Sequence, residues 1–185
     1  NILKMCCILV ITIITFTFGY VFWDNYQVAK DVENVQQSIQ KVINITDTDS
    51  IIKDLEDINE NSQLQIKNED IASLLTVNDQ TVGWLKVNNT NIDYYVVQAS
   101  DNNYYLTHNF YKKVAYSGWI FMDYRNNAIN LDDNTILYGH NRYSNGVMFG
   151  TLNKVTDKSW YTNNENLTIS FNTIYNTMTW QIFSI

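Results

Sequence analysis

The chain holds two histidines, His108 and His140, and two cysteines, Cys6 and Cys7, and these side chains bound the chemistry it can attempt. His140 stands in "ILYGHN", residues 136–141, where aliphatic residues and a tyrosine lead into Gly139. A histidine just past the glycine that ends a strand projects from the rim of a sheet. There an imidazole, the side chain best suited to proton exchange near neutral pH, can act as acid or base. It can equally be a structural histidine, and the residues by themselves leave both readings open. Cys6 and Cys7 are adjacent in an apolar run and read as membrane-embedded thiols, candidates for acylation. The rest of the chain has no cysteine, so no disulfide framework exists there.

Other chemistries find no support in the residues. A serine nucleophile wants a sharp G-x-S-x-G turn, and none occurs. Two histidines 32 residues apart do not make a zinc site without two more good ligands. Asp132 and Asp133 lack calcium-loop spacing, and no glycine-rich loop cradles a phosphate. A net charge of -7 without basic clusters argues against nucleic acid as a partner.

The elements that must carry His140 are short strands. Alternating β-branched and aromatic residues predict strands at 82–87, 92–98, 118–122, 135–139, 167–171 and 178–185, separated by Asn, Asp and Gly turns. The chain has no proline, so those turn residues do the work alone. "NEDIASLLTVND" predicts a short helix before the first strand, and "MFGTLNKV" at 148–155 one or two helical turns. The pattern predicts a mostly-β domain, a barrel or sandwich with helical insertions, over residues 68–185.

Ahead of it, residues 5–23 run for 19 positions without a charge, near the length that crosses a bilayer as a helix. Lys4 precedes the run and Asp24 follows it, which predicts a cytoplasmic stub at 1–4 and an external remainder. Tyr20, Phe22 and Trp23 would form an aromatic belt at the outer interface. Residues 24–67 carry aliphatics at helical spacing, interrupted by "TDTDS" at 46–50, and predict a juxtamembrane stalk of two helices.

Four segments in order then carry a resemblance: "VGWLKVNNTNIDYYVVQASDNNYYL" at 82–106, "SGWIFMDYRN" at 117–126, "TILYGHN" at 135–141 and "MFGTL" at 148–152. Behind an N-terminal anchor, this set resembles the class B sortases, membrane-anchored cysteine transpeptidases of Gram-positive bacteria. The resemblance implies a β-barrel of about eight strands, about six of them present here, with a groove holding a Cys, a His and an Arg, and no cofactor or metal. His140 matches the catalytic histidine. By the same resemblance, Asn102 and Leu106 in "DNNYYL" match a segment that flanks the substrate groove, and Asn141 either lines that groove or makes the turn.

The resemblance further implies a reaction and its partners. A cysteine thiolate attacks the Thr carbonyl of a surface protein's sorting signal, and an amine of the peptidoglycan cross-bridge or its precursor takes over the acyl group. The family's cysteine and arginine have no match in this sequence. Both are expected beyond Ile185, and residues 1–185 alone are expected to be inactive. Arg125 and Arg142 do not match the arginine. Tyr95 stands where the family usually has proline, which puts the local strand geometry in question. Asp123 and Arg125 read as a buried ion pair at a turn, His108 as a surface loop residue, and Trp84 and Trp119 as core anchors. Two other functions fit the same residues: a catalytically dead, membrane-anchored binding domain, and a pilus-building sortase of another class.

Overall fold

The computed structural model describes residues 2–58 and 65–184. It begins with one uninterrupted helix, α1 (Ile2–Ile45), 44 residues long. No proline breaks it, and its only glycine, Gly19, lies in the apolar part. Among the described residues the stretch from Met5 to Trp23 packs against no other element; Phe16 and Phe18 are 82% and 77% exposed. It is long and apolar enough to cross a membrane. From Asn25 onward one face of the same helix turns to the domain. Val28, Val32, Val35, Ile39 and Val42 recur every three or four residues and pack in or against the main core, with Val32 and Ile39 buried.

The helix stops where "TDTDS" offers side chains that compete for backbone hydrogen bonds. The Thr46 hydroxyl donates to the Val42 carbonyl at 2.7 Å. Asp47 Oδ1 accepts from the Asp49 amide, a cap for α2 (Thr48–Ile58). Residues 59–64 of the expected stalk lie outside the described residues. A short helix, α3 (Glu69–Ser73), follows as the sequence predicts, running into a 3₁₀ turn at Leu74–Thr76.

All six predicted strands occur, and they form one curled sheet. These are β1 (Thr81–Val87), β2 (Asp93–Val97), β3 (Phe121–Met122), β4 (Leu137–Tyr138), and two later ones. A small hairpin intervenes, β5 (Asn141–Arg142) with β6 (Val147–Met148), before β7 (Thr168–Thr173) and β8 (Thr179–Gln181) complete the sheet. Its order is β4-β3-β2-β1-β7-β8, antiparallel throughout except for the β2–β3 pair. The core beneath it includes Tyr105, Phe110, Trp119, Ile120, Phe121 and Met148.

Several boundaries differ from the sequence expectation. Strand pairing near 118–122 is confined to Phe121–Met122, because Gly118 takes φ +57 and turns the chain there. The last strand ends at Gln181, and Ile185 lies outside the described residues. "MFGTLNKV" divides between β6 and a 3₁₀ helix at Leu152–Thr156. Tyr95 leaves β2 regular: it pairs with Trp84, and its carbonyl accepts from the Trp119 indole at 2.7 Å. Burial, with Asp70 and Asp93 nearby, pushes its phenol up to about 12. Trp119 is fully buried, whereas Trp84 is only half-buried, its indole N–H donating to Asp93 Oδ1 at 2.7 Å.

Because Ile39 is 2% exposed within the same core as the sheet, the domain and the helix behind the apolar stretch form one folded unit. Ile39→Ala is expected to lower stability by about 2–5 kcal/mol in chemical unfolding. An unchanged unfolding midpoint would show that the helix folds apart from the sheet.

Candidate active site

His140 sits two residues past β4, between that strand and β5. Gly139 in front of it is required by packing: a Cβ there would collide with Ile120 Cδ1 and press on the Phe149 ring. The His140 carbonyl accepts from the Phe149 amide at 3.0 Å, so the main chain is held on both sides. The half-buried ring lies over Gly118. A Cβ on Gly118 would stand 3.1 Å from His140 Cδ2 and 2.5 Å from the Tyr105 carbonyl.

The ring's orientation is set by one hydrogen bond. His140 Nε2 lies 2.7 Å from the carbonyl oxygen of Leu106. A carbonyl only accepts, so Nε2 must carry a proton, and in the neutral imidazole Nδ1 is left with the lone pair. Among the described residues Nδ1 has no hydrogen-bond partner. The arrangement yields a fixed imidazole with one nitrogen occupied by the fold and the other free for proton exchange.

Leu106 ends a 3₁₀ turn, Tyr104–Leu106, in the "DNNYYL" segment. That turn is anchored at its start: Asp101 Oδ1 accepts from the Asn103 and Tyr104 amides at 2.7 and 2.9 Å. Asn102 is committed on both sides of its amide, donating to Asp123 Oδ2 at 3.0 Å and accepting from the Tyr124 amide at 3.1 Å.

Asp123 is therefore a junction. Its side chain is 1% exposed and accepts from Arg125 Nε and Nη2 at 2.9 and 2.7 Å, and from the Arg125 amide at 2.9 Å. Tyr138 of β4 adds its hydroxyl at 3.1 Å. The expected carboxylate–guanidinium pair is thus present, with only its carboxylate buried and the Arg125 side chain 64% exposed, and it does more than close a turn. It joins the segment leading to Leu106 and the strand leading to His140. The Arg125 hydrogen bonds, aided by its amide, Asn102 and Tyr138, hold this carboxyl well below the usual carboxylate range despite burial. Gln98 braces the turn, donating to the Asp123 and Asn126 carbonyls at 2.8 Å each.

Of the residues singled out from sequence, Leu106 and Asn141 thus flank His140, while Asn102 reaches it through Asp123. Leu106 is half-buried against the core, and Asn141 is exposed in β5. His108 is less of a surface residue than expected. Its ring stacks on Tyr104 at 4.1 Å and its Nδ1 bonds the Tyr104 carbonyl at 2.8 Å. Cys6 and Cys7 lie on the unpacked stretch of α1, about 27 Å along the helix from Asn25, where the domain begins. Among the described residues no three His, Cys, Asp or Glu side chains are grouped to hold a metal ion. Tyr138 and Gly118 escaped the sequence reading, although Tyr138 lies within the "YGHN" string that drew attention to His140.

No family profile matches the chain. It is 43% identical over 108 residues to Sortase B of Listeria monocytogenes, covering 58% of this chain and 42% of that protein. It is 38% identical over 112 residues to Sortase B of Staphylococcus aureus, covering 60% of this chain and 45% of that one. The chain thus spans less than half the length of the curated relatives it matches. Its fold superposes on a Staphylococcus aureus sortase B–substrate complex with a TM-score of 0.61 and 28% identity, covering 82% of this chain and 64% of the other.

Two outcomes are expected from the site's supports. Asp123→Asn should lower stability at neutral pH. A carboxyl depressed in the folded state stabilises above its unfolded value, about 3.9, and that contribution is lost as pH falls below it. The variant should therefore lose less stability than the parent on acidification below about pH 4; parallel curves would contradict the pairing. Gly118→Ala should cost about 1–3 kcal/mol from the left-handed backbone alone and displace the His140 ring, visible as a shifted imidazole NMR signal. An unshifted signal would remove Gly118 from the site.

Proposed function

On the premise that its sequence and fold are those of the class B sortases, we propose that this chain carries the acid/base half of a cysteine transpeptidase site, with His140 as the catalytic histidine. The nucleophile is a cysteine outside residues 1–185. Its thiolate adds to the carbonyl carbon of a sorting signal after Thr, giving a thioacyl intermediate as the C–N bond breaks. His140 Nδ1, having taken the thiol proton as that thiolate formed, gives it to the departing amine. It then takes a proton from an incoming peptidoglycan amine, which displaces the thiolate and forms the new amide. An arginine, also outside this sequence, steadies the developing oxyanion.

One observation supports this reading above the others: the Leu106 carbonyl occupies Nε2 and leaves Nδ1 without a protein partner among the described residues. A ring held through one nitrogen keeps its orientation while the other nitrogen stays available to a substrate. Leu106 and Asn141 lie beside the ring and are proposed to contact the sorting signal; Asn102 is proposed to shape that wall through Asp123. Residues 5–23 are proposed to span the cell membrane, with the N-terminus cytoplasmic and the domain outside, where surface proteins and the wall amine meet.

The test uses the full-length protein, including its cysteine, with sorting-signal peptides. His140→Gln can still donate to Leu106 but cannot shuttle a proton. It should reduce turnover by roughly 10²–10⁴-fold while the melting temperature stays near that of the parent. Retained turnover would make His140 structural.

A further inference from the structure

Helix α1 passes from its unpacked apolar stretch into the folded domain without a spacer. Trp23, at the end of that stretch, is 61% exposed. Two residues on, Asn25 Oδ1 accepts from the Ser144 hydroxyl at 2.9 Å, and the Asn25 carbonyl accepts from Asn145 Nδ2 at 3.4 Å. At 1.5 Å per residue, Asn25 stands about 3 Å beyond Trp23 along the helix axis. The β5–β6 turn, residues 143–146, therefore lies at the level where the apolar stretch ends.

The helix is also clamped. From Val28 to Val42 it packs along the core, a contact about 21 Å long, with no proline or glycine in that span to act as a hinge. The domain cannot swing away from the level that Asn25 fixes. At that level the turn displays Tyr143, 73% exposed, and α1 displays Trp23 and Tyr26, whose rings lie 6.2 Å apart. A single exposed tyrosine on a turn is unremarkable. Trp23, Tyr26 and the residue next to Ser144 all belong to segments close to that level, immediately beyond an apolar helix, a composition that matches a membrane–water interface.

We propose that the β5–β6 turn is a second membrane contact. Tyr143 seats in the phospholipid headgroup region of the leaflet that α1 leaves and completes a belt with Trp23 and Tyr26. The inference rests on the reading of residues 5–23 as a membrane span. Its consequence concerns the site. His140 lies four residues before Ser144, so it is held within about 13 Å of the bilayer surface. It can reach only bonds presented close to the membrane.

The test places one fluorescent NBD label at a time in the full-length protein, in a background where Cys6, Cys7 and the proposed nucleophilic cysteine are each replaced by Ser. Labels go on Ile14→Cys, Tyr143→Cys and Lys41→Cys, and the protein is reconstituted in phosphatidylglycerol–phosphatidylethanolamine vesicles holding a lipid spin-labelled either near its headgroup or at the end of an acyl chain. Lys41 is exposed on α1, about 24 Å above Asn25. The acyl-chain label should quench emission at position 14, the headgroup label should quench it at 143, and neither should affect it at 41. Quenching at 14 but not at 143 would overturn the contact and leave the span standing. No quenching at 14 would overturn the span, and the inference with it. Quenching at 41 as well would show a domain lying flat on the lipid and would overturn the proposed orientation.

Discussion

The carboxylate of Asp123 is the constraint on which the site depends. A buried charge is tolerable only when it is fully hydrogen-bonded. Here the partners are drawn from three stretches of chain: Asn102, Arg125 and Tyr138. Satisfying one carboxylate therefore fixes the start of the segment that ends at Leu106 and the strand that ends before His140. The Leu106 carbonyl and His140 Nε2 meet at 2.7 Å because their supports are tied to the same group. Gly118 lets the chain pass beneath the ring, and Gly139 lets the strand end against Ile120 and Phe149.

A second constraint acts at larger scale. The sheet is a curled half-barrel whose core is completed by α1, so the helix that carries the apolar stretch is also a wall of the domain. The apolar helix and the scaffold that carries His140 are one folded piece from Asn25 onward.

Much of this was legible beforehand, for physical reasons. Every strand of the large sheet announces itself by β-branched and aromatic alternation, and the break at 46–50 by side chains that compete for backbone hydrogen bonds. The Asp123–Arg125 pair was readable from its spacing. The β5–β6 hairpin was not: β5 is Asn-Arg, with no β-branched or aromatic residue, whereas the equally short β3 and β4 sit in apolar runs. Nor was the partner of His140: a main-chain carbonyl 34 residues earlier has no signature of its own in sequence. That Val32 and Ile39 belong to the core was hidden for a related reason. Helical spacing shows that a face is apolar, but not what it meets.

The central claim is that the fold occupies Nε2 of His140 and leaves Nδ1 to the chemistry. Long-range nitrogen–proton correlation NMR on the isotope-labelled protein, at a pH where the imidazole is neutral, reads this directly. The geometry predicts that Nε2 is protonated and Nδ1 is not. Finding the proton on Nδ1 would mean that the Leu106 contact does not set the ring, and the account of His140 as a poised acid and base would fall.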